Sequence, residues 1–289
     1  MQRAVKKRAF RKDEKMPVIH VIGLQLLCNT NKEGMLEKAA KLIEKAMENQ
    51  KTVDLIAAPE MYYQRFGGDS SQEEFGEEPG GRFEAFWKEI ARTYHTNVVT
   101  GSYAVKTQNE EKVKNRALVI DREGKLVGYY DKLHLFDAYG VCESDWSLAG
   151  NSLGLFDLDI GRIGIEICYD LRFPEEARAL SMSGAKFLVI PAAFHQPRFD
   201  HWELLVRTTS VVNLLPVLAV NQSGKTERDR NGFVGRSMLT DAEGRILAQA
   251  SDGEGYFLGE IDFETVKAVR KKNPAFQNQR RDLYKEWIQ

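Results

Sequence analysis

The sequence predicts an α/β fold on three observations. Strand-like and helix-like segments alternate along nearly all of its 289 residues, several strands are short apolar runs that need covering layers, and no linker interrupts the alternation. Pro17 to Leu27 reads as a strand. Met35, Leu36, Ala39, Ala40, Ile43, Ala46 and Met47 then recur at helical spacing and predict an amphipathic helix. Val53 to Ala58 is a buried strand closed by Pro59-Glu60, and a loop rich in Gly, Ser and Glu, residues 66–81, leads into a second helical stripe of Phe83, Phe86, Trp87, Ile90, Ala91 and Tyr94. Strands are expected near 97–105, 116–121, 125–131, 153–158 and 162–168. Pro174 opens a helix, because its missing N–H would have no partner in the first turn anyway. A buried strand at 186–191, a helix from His201 to Asn213, and strands near 216–221, 233–240, 245–250 and 255–261 complete the chain. This pattern is satisfied by one sheet or by two.

Length and charge define the organisation. Residues 1–15 hold seven basic side chains against Asp13 and Glu14, so this stretch carries +5 and the remainder −6 of a net charge of −1. The expectation is a basic, disordered extension over 1–16 and a single domain over 17–289. Neither a membrane-spanning apolar segment nor the apolar stretch of a secretory signal is found. Cys28, Cys142 and Cys168 form no Cys-x-x-Cys pair and no disulfide framework, which fits a reducing, cytoplasmic setting. The five histidines lack His-Glu-x-x-His spacing, Gly224-Lys225-Thr226 lacks the first glycine of a phosphate loop, and no Rossmann signature or aromatic-laced basic stretch is present. No metal, cofactor, nucleic-acid or membrane partner is therefore expected.

Three strand-like segments end on reactive side chains. The run from Arg162 to Ile167 delivers Cys168 before a turn and a Pro-started helix, residues 53–59 deliver Glu60, and residues 125–131 deliver Lys132. A thiol at the end of a strand has the layout of a nucleophile elbow. It needs help, because a free thiol with a pKa of about 8.5 is mostly protonated near neutrality. Glu60 can take the thiol proton and return one to a leaving amine, while Lys132 and the backbone N–H of Tyr169 can hold the oxyanion. His134, two residues past Lys132, reads as a structural imidazole rather than a catalytic one.

Pro59-Glu60, the segment Tyr130-Asp131-Lys132-Leu133-His134-Leu135-Phe136, and Cys168 to Glu175 together resemble the nitrilase, or carbon-nitrogen hydrolase, superfamily, with the carboxylate, ammonium and thiol in the order Glu, Lys, Cys. The similarity runs from about Val18 to Tyr284. His201-Trp202-Glu203-Leu204-Leu205 and the closing 276–284 stretch are similar to the omega-amidase and deaminated-glutathione amidase branch. The resemblance implies a four-layer α-β-β-α sandwich, a thioester mechanism without cofactor, and pairing of copies through helices on one face into a homodimer or higher homo-oligomer. Glu143, in Gly140-Val141-Cys142-Glu143-Ser144, matches a second acidic residue that the family places near the nucleophile, although its loop setting also suits a surface role. Trp202, Leu205 and Val206 fit either an interface or the core.

The resemblance specifies a bond class more sharply than a substrate. Amidases, nitrilases and N-carbamoyl amino acid hydrolases share the triad, and a non-catalytic binding or assembly protein on this fold is the alternative of another class. The branch implied here releases ammonia from the terminal carboxamide of small amido acids such as 2-oxoglutaramate. Tyr169, Arg172, Phe194 and Arg198 are the candidate substrate-binding residues. Arg172 or Arg198 would receive a substrate carboxylate, with an ion pair from Arg172 to Glu175 or Glu176 as the structural alternative. The chain departs from the branch at His195 to Asp200, where a Gly/Thr-rich loop is expected.

Overall fold

A computed structural model describes residues 18–48, 50, 52–64, 75–107, 111–227 and 230–287. The expected basic extension and most of the 66–81 loop lie outside these residues. In chain order, β1 (Val18–Gln25), β2 (Leu55–Ala57), β3 (Asn97–Lys106), β4 (Val113–Ile120) and β5 (Leu126–Asp131) are followed by a small hairpin of β6 (Asp137–Ala138) and β7 (Val141–Cys142). Next come β8 (Gly154–Leu158), β9 (Gly161–Ile165), β10 (Phe187–Ala192) and β11 (Val217–Asn221), then a second hairpin of β12 (Ser223–Gly224) and β13 (Phe233–Val234). The series ends with β14 (Met238–Thr240), β15 (Ile246–Gln249) and β16 (Gly255–Asp262). Two six-stranded sheets result, ordered β16-β1-β2-β3-β4-β5 and β15-β14-β11-β10-β9-β8.

The period of two along the strands explains the layering. In β1, Ile22 and Leu24 face the helices Lys32–Met47 and Arg82–Tyr94, joining Met35, Leu36, Phe83 and Trp87 in one core. Ile19 and Val21 point the other way, into a second core with Ile163, Ile165, Val189 and Ile190 of the second sheet. That core continues to Leu180 of the helix Pro174–Met182 and to Trp202 and Val206 of the helix Phe199–Asn213. Alternate residues thus fill two different interfaces, and the order is helices, sheet, sheet, helices. This is the expected four-layer α-β-β-α sandwich.

Local departures from expectation have backbone causes. The strand anticipated over 162–168 ends at Ile165, because Cys168 at φ +50° turns into the 3₁₀ segment Cys168–Arg172. The strand anticipated over 233–240 is divided into β13 and β14 by Gly235 and Arg236, both at positive φ. Helices Phe263–Lys272 and Arg281–Trp287 were not expected; the first buries only Phe263 and Val266, too sparse a stripe to register as helical. Trp202 and Val206 are fully buried and Leu205 packs beside them, so these residues belong to the core.

Candidate active site

Glu60 follows β2 at the meeting of the two sheets. Its N–H donates to Ala192 O at 3.3 Å, just past which Ala193 N–H donates to Glu60 Oε2 at 2.9 Å. Gln222 Nε2 donates to Glu60 O at 2.9 Å. The close turn depends on Gly101 in β3, at φ +73°, where a Cβ would sit 2.1 Å from Pro59 O. Lys132 stands one residue beyond β5, its N–H donating to Asn115 O at 2.9 Å. Glu143 opens a 3₁₀ turn, Glu143–Asp145, directly after the β6–β7 hairpin.

These three charges form one buried network. Lys132 Nζ donates to Glu60 Oε1 at 2.9 Å and to Glu143 Oε2 at 2.7 Å. Asn115 Nδ2 donates to Glu60 Oε1 at 2.9 Å and to Glu143 Oε1 at 3.0 Å, and Phe136 N–H donates to Glu143 Oε2 at 2.7 Å. Lys132 is only 2% exposed and Glu60 and Glu143 4% each, so the surface role that the loop setting suggested for Glu143 is not what the fold displays. The Cys168 thiol, also buried, lines the same cavity as Glu60 and Lys132.

Electrostatics fix the resting protonation. Burial alone would raise the Glu60 pKa, but the Lys132 charge and hydrogen bonds from Lys132, Cys168 and Asn115 outweigh it and hold the carboxyl below its ordinary range. Burial would likewise lower Lys132, yet Glu143 and Glu60 carry it well above its ordinary value. For Cys168, burial and the neighbouring Glu60 charge push the thiol well up, against the pull of Lys132. The site therefore rests with Glu60 as carboxylate, Lys132 as ammonium and Cys168 as neutral thiol. A thiolate would add a second negative charge beside Glu60, so a reaction at this sulfur would need a base to take its proton.

A cavity of about 300 Å³ opens over Cys168, and all eight residues singled out in the sequence line it. Arg172 does not pair with Glu175 or Glu176; its Nη2 lies 3.2 Å from His201 Nδ1 and its guanidinium 5.6 Å from the Phe194 ring centre. Arg198 lies 4.4 Å from the Tyr139 ring centre and 5.7 Å from that of Phe136. Neither guanidinium forms an ion pair with a carboxylate among the described residues. Asn115, Phe136 and Trp146 are cavity residues that sequence reasoning missed. Asn115 had a signal, as a polar side chain on the inward face of β4, between Val113 and Ala117.

Among the described residues, the group close enough to share a metal ion is His134, Asp170 and Glu176, whose donor atoms lie within 4.8 Å of one another. Asp170 there already accepts hydrogen bonds from Ile167 N–H, Tyr130 O–H, His134 N–H and His134 Nδ1.

Comparison with known proteins bears on the family and the fold. Residues 21–271 match the carbon-nitrogen hydrolase family. The chain is 34% identical over 250 residues to a 2-oxoglutaramate amidase of Bacillus subtilis, covering 86% of this chain and 92% of that one. It is 32% identical over 280 residues to a deaminated glutathione amidase of Dictyostelium discoideum, covering 91% and 95%. The crystal structure of Saccharomyces cerevisiae Nit3, a member of branch 10 of the nitrilase superfamily, superposes with a TM-score of 0.83 at 27% identity, covering 91% of this chain and 96% of that one. With its sandwich fold and a match over most of its length, the chain belongs to the carbon-nitrogen hydrolase family and is a hydrolase of carbon–nitrogen bonds.

Proposed function

We propose that the chain is a cysteine-dependent amidase that releases ammonia from the terminal carboxamide of small amido acids. The observation that carries this reading is that the buried Glu60 carboxylate, paired with Lys132 Nζ at 2.9 Å, lines one cavity with the Cys168 thiol. As sulfur attacks the amide carbon, Glu60 takes the thiol proton, and Lys132 with the Tyr169 N–H stabilises the oxyanion. Glu60 then passes the proton to the departing amine, leaving a thioester on Cys168. Water, deprotonated by Glu60, attacks the thioester; the carboxylic acid leaves and the proton returns to sulfur. Arg172 and Arg198 supply positive charge for a substrate carboxylate, with Phe194 as an apolar wall. The amidase names of the relatives support an amide over a nitrile or an N-carbamoyl acid.

The same reading includes a cytoplasmic homodimer or higher homo-oligomer, without nucleic-acid or membrane partners. Leu204, Val211 and Val212 are exposed on the helix Phe199–Asn213, and Met182 on its neighbour, an apolar face that suits a second copy. No described helix is long and apolar enough to cross a membrane. The test is ammonia release from 2-oxoglutaramate, succinamate, glutaramate and deaminated glutathione beside aliphatic nitriles and N-carbamoyl amino acids. The short amido acids should be turned over fastest, and Cys168→Ala should abolish turnover while leaving the circular dichroism spectrum unchanged. Faster turnover of nitriles or carbamoyl acids, or none of any substrate, overturns the reading.

A further inference from the structure

Lys132 and Cys168 hang from different sheets, β5 belonging to the first and β9 to the second, so no strand pairing fixes one against the other. A single carboxylate spans the gap. Asp170, fully buried two residues after the nucleophile, accepts from Ile167 N–H at 2.9 Å and Tyr130 O–H at 2.7 Å on Oδ2, and from His134 N–H at 2.9 Å and Nδ1 at 2.8 Å on Oδ1. Ile167 precedes Cys168; Tyr130 and His134 flank Lys132 by two residues on either side. Four donors fill the acceptor sites of one carboxylate, and each belongs to a segment that carries a reacting group. We propose that Asp170 is a positioning residue that sets Lys132 against Cys168, and that Glu176 must hold a proton for the arrangement to persist.

The proton requirement follows from counting hydrogens. Tyr130 Oη lies 2.7 Å from Asp170 Oδ2 and 2.7 Å from Glu176 Oε1, and a phenol has one proton to donate. Asp170 is the acceptor in that pair, being supplied by three further N–H donors. The second contact is a hydrogen bond only if Glu176 donates to Tyr130. Four titratable neighbours face Glu176: Asp170 on the elbow, Tyr130 on β5, His134 with Nδ1 3.4 Å from Oε2, and the buried Glu166; Glu175, on its own helix, acts on His134. Burial first, and then the Asp170 charge, raise the Glu176 pKa to about 8, consistent with a proton held at neutrality. Once Glu176 ionises, Tyr130 stands between two carboxylates with one proton and the link between the sheets loosens.

This inference rests on Cys168, Lys132 and Glu60 being the reacting groups, and the experiment separates the two ideas. The pH profiles of kcat and KM are measured for wild type, Asp170→Asn, Glu176→Gln and Cys168→Ala, with 2-oxoglutaramate or whichever amide of the panel is fastest. Folded Asp170→Asn should lose kcat by about 10²-fold with KM little changed, the effect of a small misplacement of reacting groups. Wild-type kcat should fall on the alkaline side with a midpoint of about 8. Glu176→Gln, whose amide donates to Tyr130 at every pH, should lose that limb. An unaltered kcat in folded Asp170→Asn, or an identical alkaline limb in Glu176→Gln, overturns the proposal. Should Asp170→Asn fail to fold, Tyr130→Phe takes its place, and a kcat and alkaline limb equal to wild type count equally against it. An active Cys168→Ala would instead overturn the reading of the nucleophile.

Discussion

Lys132 Nζ lies 2.7 Å from Glu143 Oε2, closer than its 2.9 Å contact with Glu60 Oε1. The second carboxylate therefore has its own task. In the proposed mechanism, Glu60 ceases to be an anion once it takes the thiol proton, and Glu143 is then the charge that would keep Lys132 protonated and oriented toward the forming oxyanion. Asn115, donating to both carboxylates, holds their spacing through that change.

Glu143→Gln tests this division of labour. The amide keeps the shape and an oxygen to accept the Phe136 N–H, but the negative charge that balances Lys132 is gone. kcat should drop by about 10²-fold or more, the usual consequence of losing an oriented electrostatic group, with circular dichroism unchanged. A kcat within a few-fold of wild type would return Glu143 to a purely structural role.

The raised Cys168 pKa makes a separate prediction about reactivity without substrate. Burial and the Glu60 charge hold the proton on sulfur, so iodoacetamide should alkylate Cys168 ever faster as pH rises past the ordinary thiol value of about 8.5. Mass spectrometry of the labelled peptide follows the rate. A plateau reached at or below neutral pH would reveal a stable thiolate and remove the need for Glu60 as base.

Much of the candidate site was legible in the chain because its signals are local: Glu60, Lys132 and Cys168 each sit at the end of a strand-like run, where the next residues turn. The sandwich came only with the resemblance, since alternation alone is satisfied by one sheet or two. Asn115 was hidden for another reason. Its role arises from the pairing of β4 with β5, which brings Lys132 N–H to Asn115 O, and from two carboxylates far away in sequence. The Asp170 link was equally opaque, because its donors come from both sheets. The Arg172 alternative failed on direction: the side chain reaches His201 and not the first turn of its own following helix.

Glu166 predicts a pH dependence of stability. It is fully buried two residues before Cys168, both oxygens lack a hydrogen-bond partner among the described residues, and burial with the nearby Glu176 and Asp170 raises its pKa well above the ordinary glutamate range. The folded state thus holds a proton that the unfolded chain releases near pH 4.5, so this stabilisation is complete below that pH and declines as pH rises toward the folded value. Glu166→Gln, neutral in both states, should flatten the fall in melting temperature as pH rises above 4.5. Parallel curves for variant and wild type would mean that Glu166 does not carry the proton.

Arg198 and Arg172 offer the sharpest test of substrate class. Arg198 is held against the face of Tyr139 and has no carboxylate partner among the described residues, whereas Arg172 is engaged with His201 beside the nucleophile's own turn. A guanidinium against an aromatic face, with no carboxylate on its donors among the described residues, is suited to a carboxylate from solution. Arg198→Ala should raise KM for 2-oxoglutaramate by roughly 10- to 100-fold, from the loss of a charge-assisted pair of about 1.5–3 kcal/mol, while KM for uncharged propionamide barely moves. Tyr139→Ala should have a weaker effect in the same direction, because it releases Arg198 without removing it. Equal losses on both amides would make Arg198 structural. A charge-selective loss in Arg172→Ala and none in Arg198→Ala would move the carboxylate site to the opposite wall, next to Phe194, and would orient the acyl chain along the 3₁₀ turn that follows Cys168.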